Sequence, residues 1–270
     1  MFEPSTHRRR PLGVLRGAVM ACLGLIALAG QAAEGIGGEL EAGGIYYNLD
    51  DGFADTHGAY VRGRLDSSAA NQWRAEGVEL SRFGDDGFFG AVGNTHQFDA
   101  DWYSSLNIGS SSGGFYWPAL RTDVSLSRRW LAGRNLVTTV GVTYFDAKDI
   151  HSDTGFNFEA IWYSASHWVV QGGTTYNISH PGAAGSTSGY VALSHAVNGE
   201  RIVAVRLGGG EQAYQPFADN RFNVGITFGS LRLSCKQWIG KHWGVNVAAD
   251  SYLSSTYDQH GVEVGLFQEF

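Results

Sequence analysis

Leu136-Val137-Thr138-Thr139-Val140-Gly141-Val142-Thr143-Tyr144 alternates with a period of two. Leu136, Thr138, Val140, Val142 and Tyr144 share one face, and Thr139, Gly141 and Thr143 lie on the other. Successive side chains of an extended chain point to opposite sides, so this stretch reads as a β-strand with one apolar and one polar face. The pattern recurs outward from it. Phe156, Phe158, Ala160 and Trp162 oppose Asn157 and Glu159. Val124 and Leu126 oppose Arg121, Asp123, Ser125, Ser127 and Arg129, while Trp243, Val245, Val247 and Ala249 oppose Asn246 and Asp250.

A two-layer soluble sandwich alternates in the same way, so three further features decide. The polar face carries too much charge to be a shared core, yet the apolar face is rich in large aromatics. The segments run about 10 to 15 residues, against the roughly 9–11 that cross a bilayer at a tilt. The C-terminus is itself a strand, with Val262, Val264, Leu266 and Phe270 on one face and Phe270 as the last residue. A terminal aromatic closing an alternating strand resembles the signal recognised by the outer-membrane barrel assembly machinery. That machinery and outer-membrane lipid are therefore expected partners.

The expected fold is an all-β, transmembrane, antiparallel up-and-down β-barrel. Lipid offers backbone groups no hydrogen-bond partners, so a spanning sheet must close on itself. Strands are expected to start near Glu39, Gly58, Gln72, Gly87, Asp101, Trp117, Asn135, Gly155, Trp168, Ser186, Arg201, Phe222, His242 and Tyr257. That makes about 14 strands, with both termini in the periplasm. Short links are expected inside and long ones outside, the latter at Asp50–Thr56, Gly109–Phe115, Asp146–Thr154, Ser179–Ser186 and Gly208–Asn220. One segment breaks phase: Phe222, Val224, Ile226 and Phe228 share a face, but Leu231, Leu233 and Cys235 take the other. A bulge or turn at Gly229-Ser230 is expected to absorb the slip, and a turn there would leave 12 or 16 strands.

Composition agrees. Glycine (38) is abundant and proline (5) scarce without a collagen period, and 8 Trp and 12 Tyr suit the lipid–water boundary. The N-terminus reads as a transport address. Arg8, Arg9, Arg10 and Arg16 precede an apolar run from Gly17 to Ala29 and the small residues Gly30-Gln31-Ala32-Ala33. This is the order of a secretory signal peptide, expected over residues 1–33 with cleavage near Ala32 or Ala33 and a barrel over 34–270. A lipoprotein signal using Cys22 is the alternative. Loss of Glu3 and four arginines with that segment takes the formal charge from −7 to −10. An acidic chain without basic clusters argues against nucleic acid as a partner. Only Cys235 then remains, so no internal disulfide or cysteine-based zinc site is available, and neither metal nor cofactor is expected.

Several stretches resemble the YaiO family of outer-membrane β-barrels. They are Leu80–Gly84 (LSRFG), Asp101–Gly114 (DWYSSLNIGSSSGG), Phe115–Asp123 (FYWPALRTD), Arg134–Asp149 (RNLVTTVGVTYFDAKD), Lys236–Gly244 (KQWIGKHWG) and Gly261–Phe270 (GVEVGLFQEF). The resemblance implies outer-membrane location and a barrel fold, without assigned catalytic residues. Family members look like neighbours of surface-polysaccharide machinery, so surface polysaccharide or its export proteins are expected partners under a passage reading.

The candidate functional residues are charges of inward parity: Arg62, Arg64, Arg121, Asp123, Arg129, Glu159, Arg232, Lys236, Asp250 and Glu263. They form either a polar pathway or a salt-bridge network filling a narrow lumen, and the mixed signs favour the network. Residues 109–114 (GSSSGG) match no phosphate-cradling motif and are expected in an extracellular loop. His151 lies near Asp149 and Asp153, but histidines scattered over strand ends and loops are the commoner case. Cys235 shares the phase of Leu231 and Leu233 and is expected to face lipid. No nucleophile–base pair is visible, so no enzyme activity is expected. A passage protein, an adhesive or phage-binding barrel, and an outer-leaflet barrel enzyme are the competing readings.

Overall fold

A computed structural model describes residues 37–50, 52–114, 117–214 and 224–270. The expected signal segment, 1–33, and Phe222 lie outside the described residues. The strands are β1 Gly37–Leu49, β2 Thr56–Ser68, β3 Asn71–Arg82, β4 Asp85–Gln97, β5 Trp102–Gly113, β6 Leu120–Trp130, β7 Leu136–Asp146, β8 Ser152–Tyr163, β9 Trp168–His180, β10 Ala184–Val197, β11 Arg201–Tyr214, β12 Val224–Trp238, β13 Trp243–Ser254 and β14 Gln259–Glu269. Each pairs with the next, and β1 pairs antiparallel with β14, closing a 14-strand up-and-down barrel.

The outward face is the apolar face. Val140 (56% exposed), Val191 (60%) and Leu266 (57%) present most of their surface away from the protein. Val262 and Val264 point outward with Leu266, and Phe270 follows the strand; its N–H donates to the Gly38 carbonyl and its carbonyl accepts from the Gly38 N–H, at 3.1 and 2.9 Å. Tryptophans mark one rim. Trp73, Trp102, Trp168 and Trp243 open strands at the periplasmic end, and Trp130 and Trp162 close strands there, all outward. Tyr46, Phe88, Tyr144, Phe156 and Tyr176 form the outward aromatics nearer the other rim. Amphipathic rings settle where hydrocarbon meets headgroups, so two such girdles define a membrane band.

The structure corrects two expectations. β12 is one unbroken strand, in continuous register with β11 and β13 across Gly229-Ser230, so neither bulge nor turn occurs there. Val224, Ile226 and Phe228 instead point inward, and Phe228 stacks on Tyr252 at 5.4 Å. The physical reason is length. A strand of 15 residues spans about 50 Å and, at a tilt of about 40°, rises about 38 Å, well beyond an apolar band of about 25 Å. Above the bilayer the outer face meets water, and the apolar face turns inward.

The same overshoot corrects the loops. Gly109–Gly113, Ser152–Thr154, Ala184–Ser186 and Gly208–Tyr214 are strand, so all of GSSSGG but its last glycine ends β5 rather than forming a loop. The β3–β4 link is the two-residue turn Phe83-Gly84, with both residues left-handed (φ 54° and 77°), the conformation that matches the twist of a tight hairpin.

Candidate functional site

The candidate site is the barrel interior, and its first wall is the seam where chain ends meet. Arg232 on β12 donates through Nη1 to both oxygens of Asp250 on β13 (2.9 and 2.8 Å) and through Nη2 to Glu263 on β14 (2.7 Å). Tyr47 on β1 donates its hydroxyl to Glu263 at 3.0 Å. Arg62 on β2 lies 3.9 Å from Glu263 and 3.6 Å from Glu76 on β3. A second group sits beside it. The Tyr60 hydroxyl donates to Glu41 at 2.6 Å, and Asn246 Nδ2 donates to both Glu41 oxygens (3.2 and 3.3 Å). Lys236 donates to Glu39 at 2.6 Å, reaching from β12 across two strands to β1. Charges that would be costly against lipid are paired here, in an interior that water reaches.

Space for these side chains is made by glycine. A Cβ on Gly43 would lie 2.6 Å from the Tyr60 ring and closer still to the Val264 carbonyl. Ile45, Tyr60 and Val78 form a small inward apolar cluster, against which Trp117 packs from the link after β5. Trp117 also stacks on Phe89 at 5.7 Å.

The facing wall, β5 to β10, differs in chemistry. Its inward positions are mostly neutral hydroxyls, amides and glycines. Thr143 donates to Asp123 (2.8 Å), Asn157 Nδ2 to Thr143 (3.0 Å), and Thr175 to Asn157 (2.7 Å), a chain of hydrogen bonds running around four strands. Asn177 donates to Asp153 at 3.1 Å, and Ser127 bonds Thr139 at 2.8 Å. Glu159 accepts from Gln171 (2.8 Å) and from the Tyr190 hydroxyl, while Arg206 lies 3.5 Å over the Tyr190 ring. Among the described residues no large side chain is fully buried, as expected of side chains lining a wet lumen and unlike a packed core.

The structure brings Arg62, Arg232, Lys236, Asp250 and Glu263 together on the seam wall, sets Arg64 beside them, and places Arg121, Asp123, Arg129 and Glu159 on the facing wall. Arg64 lies 3.7 Å from Asp66 and lines, with Arg74, Glu39, Glu41, Arg62 and Glu76, a cavity of about 460 Å³. Arg121 bonds its neighbour Asp123 on β6 at 3.0 Å. Arg129 donates to the Ala100 carbonyl at 3.0 Å and covers Tyr103 at the periplasmic rim. Glu159 belongs to the opposite wall. The seam also uses Glu39, Glu41, Tyr47 and Tyr60, which are not among the residues expected from sequence, although Glu39 and Glu41 already alternate with Leu40 and Ala42. On the facing wall Thr143, Asn157, Thr175 and Asn177 carry no formal charge, so nothing in their sequence parity sets them apart from other inward polar residues.

The extracellular mouth carries an aromatic trio, Phe53, Phe83 and Tyr257, with ring centroids 5.5–5.7 Å apart, drawn from three links. Beside it Asp55 accepts from the Tyr46 hydroxyl (2.7 Å), the Leu49 N–H (3.3 Å) and Asn48 (3.0 Å), and these donors hold its carboxyl below the usual range. On the periplasmic side Asp99 accepts from the N–H groups of Asp101 (2.7 Å) and Trp102 (2.8 Å), which lower its pKa in the same way. His151 pairs with Asp149 at 2.7 Å. Among the described residues no three His, Cys, Asp or Glu side chains are grouped to hold a metal ion. Cys235 is a free thiol on the outward phase with Leu231 and Leu233.

A closed antiparallel sheet with an apolar exterior, aromatic girdles and a polar interior defines an outer-membrane β-barrel. The chain belongs to the YaiO family: the YaiO membrane beta barrel domain matches residues 38–215. Among solved structures, the chain is similar to OmpT, an outer membrane protein of Vibrio cholerae, as its loop L8 deletion mutant (9% identity, TM-score 0.50, covering 87% of this chain and 98% of that one). It is also similar to the in-vitro folded OmpT (8%, 0.50, 87% and 96%) and to an anion-selective porin from Comamonas acidovorans (10%, 0.47, 87% and 98%). These likenesses concern the fold. The search of curated proteins returned no match.

Proposed function

We propose that this YaiO-type barrel is a passage for polar saccharide through the outer membrane, in the service of surface polysaccharide. The observation that carries the proposal is the wall from β5 to β10. Its Thr143, Asn157, Thr175 and Asn177 offer hydroxyls and amides that both donate and accept, the pairing that sugar hydroxyls need. The bonds among Thr143, Asn157 and Thr175 are between neutral groups and exchange with water at little net cost, which suits movement better than tight capture. The paired charges of the seam wall hold the barrel shut opposite this surface. The chain reaches the membrane by a cleaved signal over residues 1–33, and its last strand is read by the barrel assembly machinery.

Planar-bilayer recording tests the passage. The purified barrel conducts, and a neutral linear hexasaccharide added to one side blocks the current reversibly. Replacing Asn157→Leu and Thr175→Val together weakens the block while leaving the open current. A barrel that passes no current under any condition refutes the proposal. The second reading, a surface-binding barrel, draws on the exposed aromatic trio at the mouth. Under it, Phe53→Ala abolishes partner binding without altering conductance.

A further inference from the structure

Arg128 breaks the rule of the outer surface. It lies on the outward phase of β6, between Leu126 (41% exposed) and Trp130 (38%), where the neighbours face lipid. Its guanidinium sits 3.8 Å over the Trp130 ring and 5.1 Å over the Trp102 ring of the adjoining β5, whose Cα pairs with its own. Its Nε is shielded from solvent and has no hydrogen-bond partner. No carboxylate among the described residues forms an ion pair with it. The acids of the nearby turns are committed elsewhere: Asp101 to Arg134 at 2.7 Å, and Asp99 to the backbone N–H groups of Asp101 and Trp102.

The Trp130 ring is anchored by its own indole nitrogen. The Trp130 indole N–H donates to Thr138 Oγ1 at 2.8 Å, and Thr138 is the β7 residue paired with Arg128. Trp102 is held through the Asp99 cap. Two tryptophan faces thus orient a guanidinium that meets no carboxylate among the described residues, at the level of the periplasmic girdle. Cation–π contact holds such a group but leaves the donors at its edge open.

We propose that Arg128, Trp102 and Trp130 form a binding site for an anionic glycerophospholipid of the periplasmic leaflet. The phosphodiester oxygens accept from Arg128, and the acyl chains lie against Leu106, Val124 and Leu126 on the same outward face. Charge complementarity selects the headgroup: the site offers one fixed cation at headgroup depth, and the planar guanidinium matches phosphate better than an ammonium would.

Native mass spectrometry of the delipidated full-length mature barrel tests this, with phosphatidylglycerol titrated against phosphatidylcholine of the same chains. The wild-type barrel retains one phosphatidylglycerol in preference. Arg128→Gln weakens that binding about tenfold, the worth of one charge-assisted hydrogen bond. Arg201→Gln, which removes another outward periplasmic arginine, leaves it unchanged. Equal retention by Arg128→Gln, or equal loss in Arg201→Gln, overturns the proposal. Absence of any phosphatidylglycerol preference in the wild type overturns it without recourse to a variant.

Discussion

Arg232→Ala removes the charge on which the seam converges. Three hydrogen bonds of 2.7–2.9 Å are lost, and Asp250 and Glu263 are left facing each other without their shared cation. The Arg232 side chain is 38% exposed, Asp250 20% and Glu263 12%, so lumen water screens part of the effect. Breaking a buried pair costs roughly 3–5 kcal/mol and an exposed one up to about 1 kcal/mol; this intermediate case should cost about 2–3 kcal/mol. Urea titration of the barrel in lipid vesicles, followed by tryptophan fluorescence, reads it. With a slope of about 2–3 kcal/mol per molar urea, the midpoint falls by about 1 M. Adding Glu263→Gln to Arg232→Ala removes one stranded carboxylate and recovers about 1 kcal/mol, a sign of direct coupling. A midpoint within about 0.2 M of wild type, or strict additivity of the two changes, refutes the seam account.

Three further outcomes are expected. Gly43→Ala drives a methyl into the Tyr60 ring and displaces its hydroxyl from Glu41, costing about 1–3 kcal/mol in the same titration; an unchanged midpoint contradicts the close packing. Val140→Arg places a cation on the mid-bilayer outer face and costs about 2–4 kcal/mol, whereas a neutral result there removes lipid from that face. The lowered pKa of Asp99 means that its capped turn gains stability above the ordinary Asp value of about 3.9 and loses it as pH falls through the lowered folded value. A carboxyl-detected NMR titration of Asp99 should give a midpoint below the ordinary value, and one at or above it disproves the cap.

Strand number and facing were legible because lipid imposes a local rule. A residue's parity within its own strand decides whether it meets hydrocarbon, so β7 and β14 could be read from a few positions each. The phase of β12 misled because that rule stops at the edge of the bilayer: Val224, Ile226 and Phe228 sit above it, and inward packing on Tyr252 takes over. Partnerships were not legible at all. Parity places Lys236 in the lumen but cannot say that Glu39 waits 197 positions away, because that meeting depends on the closure of β1 onto β14. Nor did charge counting point to Thr143, Asn157 or Thr175, whose role comes from a surface assembled by neighbouring strands rather than from any one residue.

Accessibility along β7 tests the central claim most directly. In a chain carrying Cys22→Ser and Cys235→Ser and reconstituted in lipid vesicles, spin labels on single cysteines at positions 138 to 143 report contact with oxygen dissolved in hydrocarbon and with a water-soluble nickel complex. Oxygen should relax the labels at 138, 140 and 142, and nickel those at 139, 141 and 143. Labels that all meet water, or an alternation of the opposite sense, would mean that hydrocarbon does not cover this face of the sheet.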